Sequence, residues 1–242
     1  MTRERTELAP LIAIIGCDGS GKSTVSREIL AWLRSYGPVA TAHLGKQSGN
    51  VGRAIVRWPL IGAWAGRVIV RKTDSARRQL NNKKNPGLFT ALVITAFLLR
   101  RLRRFRRMLA LRRSGLLVIT DRYPQLDFPG TSDSTDLSVT AAGGVIVRWL
   151  ARREQAAYEW MTSYRPDLVI RLNVDLETAC ARKPDHRREL LREKMAILPL
   201  LKFNGAEIVD VDATRPLPEV LAAAKAAVAH ALSKRGHAFQ TG

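Results

Sequence analysis

The sequence predicts an α/β protein with a parallel sheet covered by helices on both faces. Three observations carry this reading. Short apolar runs alternate with helix-length segments along the chain. The glycine-rich stretch GCDGSGKST (16–24) sits between one such run and an amphipathic segment. At 242 residues, 46% hydrophobic and 25% charged, the chain can bury one sizeable core.

Leu11 to Ile15 (LIAII) reads as a buried first strand. The helix after the loop is predicted to reach about Ser35, with Ile29, Leu30 and Leu33 inward, and Gly37-Pro38 stops it. Val39 to Leu44 is a second strand. Residues 45 to 87, rich in Gly, Arg, Trp and Asn, are expected to be irregular, with short helices near 51–57 and 62–72. Leu88 to Arg113 is one long helix ended by Ser114-Gly115. Leu116 to Thr120 is a third strand running into Asp121-Arg122-Tyr123, and Pro124 to Asp136 is a polar loop expected to move over an active site. Ser138 to Tyr164 is predicted mostly helical, broken or closely packed at Gly143-Gly144. A fourth strand, Asp167 to Asn173, leads through a short helix to Arg182, a basic turn Lys183–Arg188 (KPDHRR) and another helix. Glu207 to Val211 is the last strand and Pro216 to Ser233 the closing helix. With no repeat and no linker, a single domain is expected, with tails at 1–10 and 235–242. The charged first ten residues do not read as a leader, and the longest nearly apolar stretch is too short to span a bilayer.

Gly16, Gly21, Lys22 and Ser23 fit the phosphate-loop pattern G-x-x-x-x-G-K-[ST]. Glycines let the backbone wrap a triphosphate with its N–H groups inward, and the following helix adds its dipole. The expected nucleotide set is Gly16, Asp18, Gly19, Ser20, Gly21, Lys22, Ser23 and Thr24, with Lys22 on the β and γ phosphates. The Ser23 hydroxyl takes one Mg²⁺ position, and Asp121, at the end of a neighbouring strand, is the acid the metal needs. ATP and Mg²⁺ are therefore the expected cofactors. Cys17 reads as a packed thiol; with Cys180 as its only companion there is no pairing framework, so reduced thiols in a cytoplasmic protein are expected.

At these residues the chain resembles thymidylate kinase and its relatives among the P-loop kinases. The loop has an Asp before its second glycine, the third strand ends in Asp-Arg-Tyr, and YRPDLVIRLNVDLETACAR (164–182) is similar to the family's fourth strand and helix. The resemblance implies a three-layer P-loop NTPase sandwich with a five-stranded parallel sheet in the order 2-3-1-4-5, and a short basic lid at 183–188. It implies that Asp18 touches a sugar hydroxyl of the acceptor. Arg122, helped by Arg100 and Tyr123, would hold the acceptor phosphate. Arg182, Arg187 and Arg188 become candidates for stabilising charge on the transferred phosphoryl group. The departures fall on the acceptor side: HLGKQSGN (43–50) stands where the family carries Arg-Glu-Pro, and Asn173 stands where it usually has Asp. Two acceptors thus stay open, a nucleoside monophosphate such as dTMP, or a hydroxyl of a sugar or lipid-linked saccharide. The second needs a base, for which Asp121 is the candidate. A P-loop ATPase docking on membrane or nucleic acid is a further alternative.

Formal net charge is +19, and the segment Arg53 to Arg113 carries seventeen basic residues against one acid, Asp74. In LLRRLRRFRRML the apolar residues recur every three or four positions, as in a core-packing helix, but no Glu or Asp compensates the Arg face. Upstream, Trp58 and Trp64 lie among aliphatic residues flanked by Arg, which suits an anionic membrane surface at 53–113. No nucleic-acid fold motif is present, so nucleic acid ranks below membrane. Core packing beside an anionic small-molecule site ranks above both, peripheral association with the inner membrane face comes second, and a homodimer is left open.

Overall fold

A computed structural model of the protein describes residues 8–45, 85–131, 133–184 and 186–236. The predicted helices at 51–57 and 62–72 and most of both tails lie outside these residues. So do Trp58, Trp64 and the part of HLGKQSGN beyond Gly45.

The described chain forms two compact units, the first from residues 8–44, 104–123 and 164–236, the second from 85–103 and 124–163 with Gly45. The first unit holds the whole sheet. Its strands are β1 (Leu11–Gly16), β2 (Val39–Ala42), β3 (Leu117–Thr120), β4 (Leu168–Asn173) and β5 (Ile208–Asp212). They are all parallel and ordered β2-β3-β1-β4-β5, so the fold is the P-loop NTPase sandwich expected from the sequence. Six α-helices accompany them among the described residues: α1 (Lys22–Arg34), α2 (Leu88–Arg113), α3 (Val145–Thr162), α4 (Leu176–Arg182), α5 (Arg188–Ile197) and α6 (Leu217–Ser233).

β1 is central because its side chains are apolar on both faces, and Leu11 to Ile15 are all buried. Val25, Ile29 and Leu33, four residues apart on α1, and Val220, Ala224 and Val228 on α6 join Ile12, Ile14 and Ile170 in one core. Each fully buried Leu, Ile or Val contributes about 1.5–3 kcal/mol. At the N-terminal edge of the strands, Asp167 acts as a clasp. Its carboxylate accepts the Leu11 N–H at 2.7 Å and Arg112 at 3.2 Å, and forms an ion pair with Arg235 at 3.4 Å. Arg112 also donates to the Ala9 carbonyl at 2.6 Å, and Arg235 to that of Leu8 at 3.1 Å.

The second unit contains residues 88–103 of α2, α3, and the loop between β3 and α3. Ala91 and Ile94 pack against Leu137, Val147, Leu150 and Ala151. The helix predicted from Ser138 starts only at Val145. The Ser138 hydroxyl accepts the N–H groups of Thr140 and Ala141, and Asn85 donates to the Ser138 carbonyl at 2.8 Å, which holds the segment in turns. The loop expected to move is braced from within. Gln125 is buried, accepts the Phe128 N–H at 2.9 Å and donates to Thr131 at 2.9 Å. Arg101, 3% exposed, donates to the Tyr158 hydroxyl at 2.8 Å and to Asp133 at 3.1 Å.

Candidate functional site

The phosphate loop is the turn between the end of β1 and the start of α1. Gly21 precedes the helix with φ of 84°, a left-handed conformation that favours glycine, and no side chain caps the helix. Nor does the first turn of α1 carry an acid, so the helix dipole and the N–H groups of Lys22 and Ser23 are open to an anion. Gly19, at φ 89°, lies against α4; a Cβ there would approach the Ala179 carbonyl oxygen to 2.7 Å. Ser20 is buried with its hydroxyl unpartnered among the described residues, and Ser23 is exposed. Thr24 donates its N–H to the Gly21 carbonyl at 3.0 Å, and a Cβ on Gly16 would run into the Ser20 hydroxyl.

Lys22 folds back over the loop and donates to the Cys17 carbonyl at 2.5 Å. Burial, reinforced by the charge of Arg122, lowers its pKa to about 8. Cys17 is buried, and that burial pushes its thiol up, so it is packed rather than poised for reaction.

Asp18 is the hub of the site. Arg122 reaches it at 3.4 Å, Lys194 of α5 donates to its other oxygen, and His186 Nε2 stands 3.9 Å away. Burial alone would raise the Asp18 pKa; the hydrogen bond and charge of Lys194, with Lys22 and Arg122, outweigh it and hold it at about 2. Arg122 has φ of 153°, a conformation L side chains rarely adopt, and its carbonyl accepts from Thr120 at 2.8 Å.

Register explains the next pair. β2 and β3 align Ala42 with Thr120, so the residues that follow, His43 and Asp121, emerge side by side. His43 Nδ1 and Asp121 Oδ2 are 2.5 Å apart, and Asp121 Oδ1 is buried without a partner among the described residues. Because β3 is also the neighbour of β1, Asp121 leaves the same end of the sheet as the phosphate loop.

Tyr123 turns into the core: it is 3% exposed, donates to the Tyr164 carbonyl, and its ring faces Phe105 at 6.0 Å. Arg100 is exposed on α2, and the next residue, Arg101, is the buried one. Arg182 donates to the Gly19 carbonyl at 3.4 Å and to that of Ala213 at 3.0 Å, so it braces the loop from outside. Arg188 lies 3.9 Å from Glu177, and Arg187 is exposed at the start of α5. Sequence reasoning left Lys194 and His186 out of the site. Lys194 lies on a helix with nothing local to set it apart, and only the fold brings it to Asp18. His43 could have been found by pairing strand-end residues once β2 was set beside β3.

The chain is 43% identical over 224 residues to "Uncharacterized ATP-binding protein YghS" of Escherichia coli strain K12, covering 92% of this chain and 94% of that protein. It is 39% identical over 219 residues to "Uncharacterized ATP-binding protein YghR" of the same strain, covering 90% and 86%. The chain belongs to the YghS and YghR family. The two relatives are described as ATP-binding proteins. No protein-family profile matches the chain.

Proposed function

We propose that this protein is an ATP-dependent kinase that transfers the γ-phosphoryl group to a small acceptor, in the manner of thymidylate kinase. The observation that carries the reading is Asp18 inside the phosphate loop, contacted by Arg122 and Lys194 and lying in the field of the Lys22 ammonium. Three cations gathered beside a polyphosphate cradle suit the charge that develops on a phosphoryl group in transfer. The names of the two Escherichia coli relatives support ATP as the donor.

The residues fit Mg²⁺. The exposed Ser23 hydroxyl and the unpartnered, buried Asp121 Oδ1 are the oxygen donors that would hold it. Bound there, the ion would offset the negative charge of the β and γ phosphates. Lys22 would leave the Cys17 carbonyl for the phosphates, and Arg122 would hold an anionic acceptor.

The contact between His43 and Asp121 favours a second reading, a hydroxyl acceptor. The hydroxyl oxygen bonds to the γ-phosphorus, the bond to the β-phosphate oxygen breaks, and ADP leaves. The hydroxyl proton passes to the His43–Asp121 pair. A monophosphate acceptor is already anionic and needs no such pair.

The test is incubation of the protein with γ-labelled ATP and Mg²⁺ across dTMP, other monophosphates, sugars and lipid extract. Label in a small acceptor is the expected result, and label in inorganic phosphate alone would overturn the kinase reading. His43→Ala separates the two acceptors: a loss of at least about 10²-fold in kcat fits a hydroxyl, and an unchanged kcat fits a monophosphate.

A further inference from the structure

The first three turns of α2, LFTALVITAFLL (88–99), hold no charged residue, a composition suited to a helix enclosed on every side. Among the described residues only one side is enclosed. Ala91, Ile94 and Leu98 are buried, while Leu88, Phe89, Leu92 and Leu99 are 44%, 55%, 50% and 51% exposed. α3, in the same unit, repeats the pattern: Val145, Ile146 and Trp149 are 75%, 56% and 53% exposed beside the buried Val147 and Leu150. A scattered exposed Leu is ordinary, but seven large apolar side chains on two helices of one unit are not.

The polar residues around them are nearly all of one sign. Arg100 and Arg103 continue the exposed side of α2, and Arg148, Arg152 and Arg153 interleave with the apolar residues of α3. The one exposed acid on either helix is Glu159; Glu154 is buried and accepts the Leu137 N–H at 2.8 Å. The Arg153 guanidinium lies 5.2 Å above the Trp149 ring, a cation and an amphipathic ring held together as suits a headgroup layer.

We propose that the outer faces of α2 and α3 in this unit dock on an anionic phospholipid bilayer. Charge complementarity selects that occupant. A second copy meeting the same face would set Arg against Arg, and a polynucleotide would match the charge but leave the aliphatic side chains in water. The helices lie on the bilayer, since none among the described residues is long and apolar enough to cross one.

The test is co-sedimentation of the full chain with phosphatidylcholine vesicles, with and without phosphatidylglycerol, at low and high salt. Binding at low salt to the anionic vesicles is expected, at least about tenfold tighter than to phosphatidylcholine alone, because each basic residue contributes roughly fivefold. The double variant Phe89→Ser/Leu92→Ser should lose about tenfold or more, and Arg152→Gln/Arg153→Gln should lose a comparable factor only at low salt. Circular dichroism confirms that each variant folds. Lys22→Ala should bind vesicles as the parent does, which separates this surface from the nucleotide site. Absence of low-salt binding, or variants that bind like the parent, would overturn the proposal. So would variants that lose dimerisation or RNA binding while keeping vesicles.

Discussion

Asp18 is held as a carboxylate by cations on three separate elements, and that coupling has a measurable sign. Its pKa is about 2 in the folded protein against an ordinary 3.8, so it contributes stability above about pH 4 that is lost as pH falls toward 2. The full shift corresponds to about 2 kcal/mol. Lys194→Met should remove most of that pH dependence, read as flattening of the urea midpoint between pH 4 and 2. The loop residues and Asp121 were legible in the sequence because a strand, a glycine turn and a helix fix their chemistry locally. Lys194 and His186 were not, because each reaches Asp18 from a distant part of the chain and no local pattern encodes such a meeting, whereas the pairing of His43 with Asp121 follows once the strand order sets β2 beside β3.

At the scale of elements, α2 shows where periodicity helps and where it stops. Its limits, Leu88 to Arg113, were readable from the apolar run and the Ser114-Gly115 stop. Which arginine turns inward was not, because Arg100 and Arg101 are chemically identical and only packing tells them apart. Arg101 bridges Tyr158 and Asp133 in the interior, whereas Arg100 is exposed. Arg101→Leu is therefore expected to cost about 3 kcal/mol of unfolding free energy, and Arg100→Leu within about 0.5 kcal/mol, in urea titrations of the two variants. The same logic covers Ser138 to Gly144. Its composition allows helix, but the hydroxyl of Ser138 and the amide of Asn85 satisfy the backbone in turns instead.

For the whole molecule, the sheet order follows from the P-loop resemblance, and it governs the chemistry: β3 between β1 and β2 is what sets Asp121 beside His43 at the loop's end of the sheet. Ligand linkage offers a global check. ATP with Mg²⁺ at 100 times its Kd should stabilise the folded chain by about 2.7 kcal/mol, seen as a raised thermal midpoint. Lys22→Ala should abolish that rise without lowering the midpoint of the ligand-free protein, since its ammonium is held there against the cost of burial. Asp167 has a consequence of another kind. It ties Leu11 and Arg235 to one carboxylate, far along the sequence from each other yet at the edge of the sheet away from the phosphate loop. Fluorescent dyes on residues 8 and 233 would stay in close energy transfer with or without nucleotide. Their signal would fall only when the sheet itself came apart, giving an optical gauge of global unfolding that nucleotide binding does not disturb.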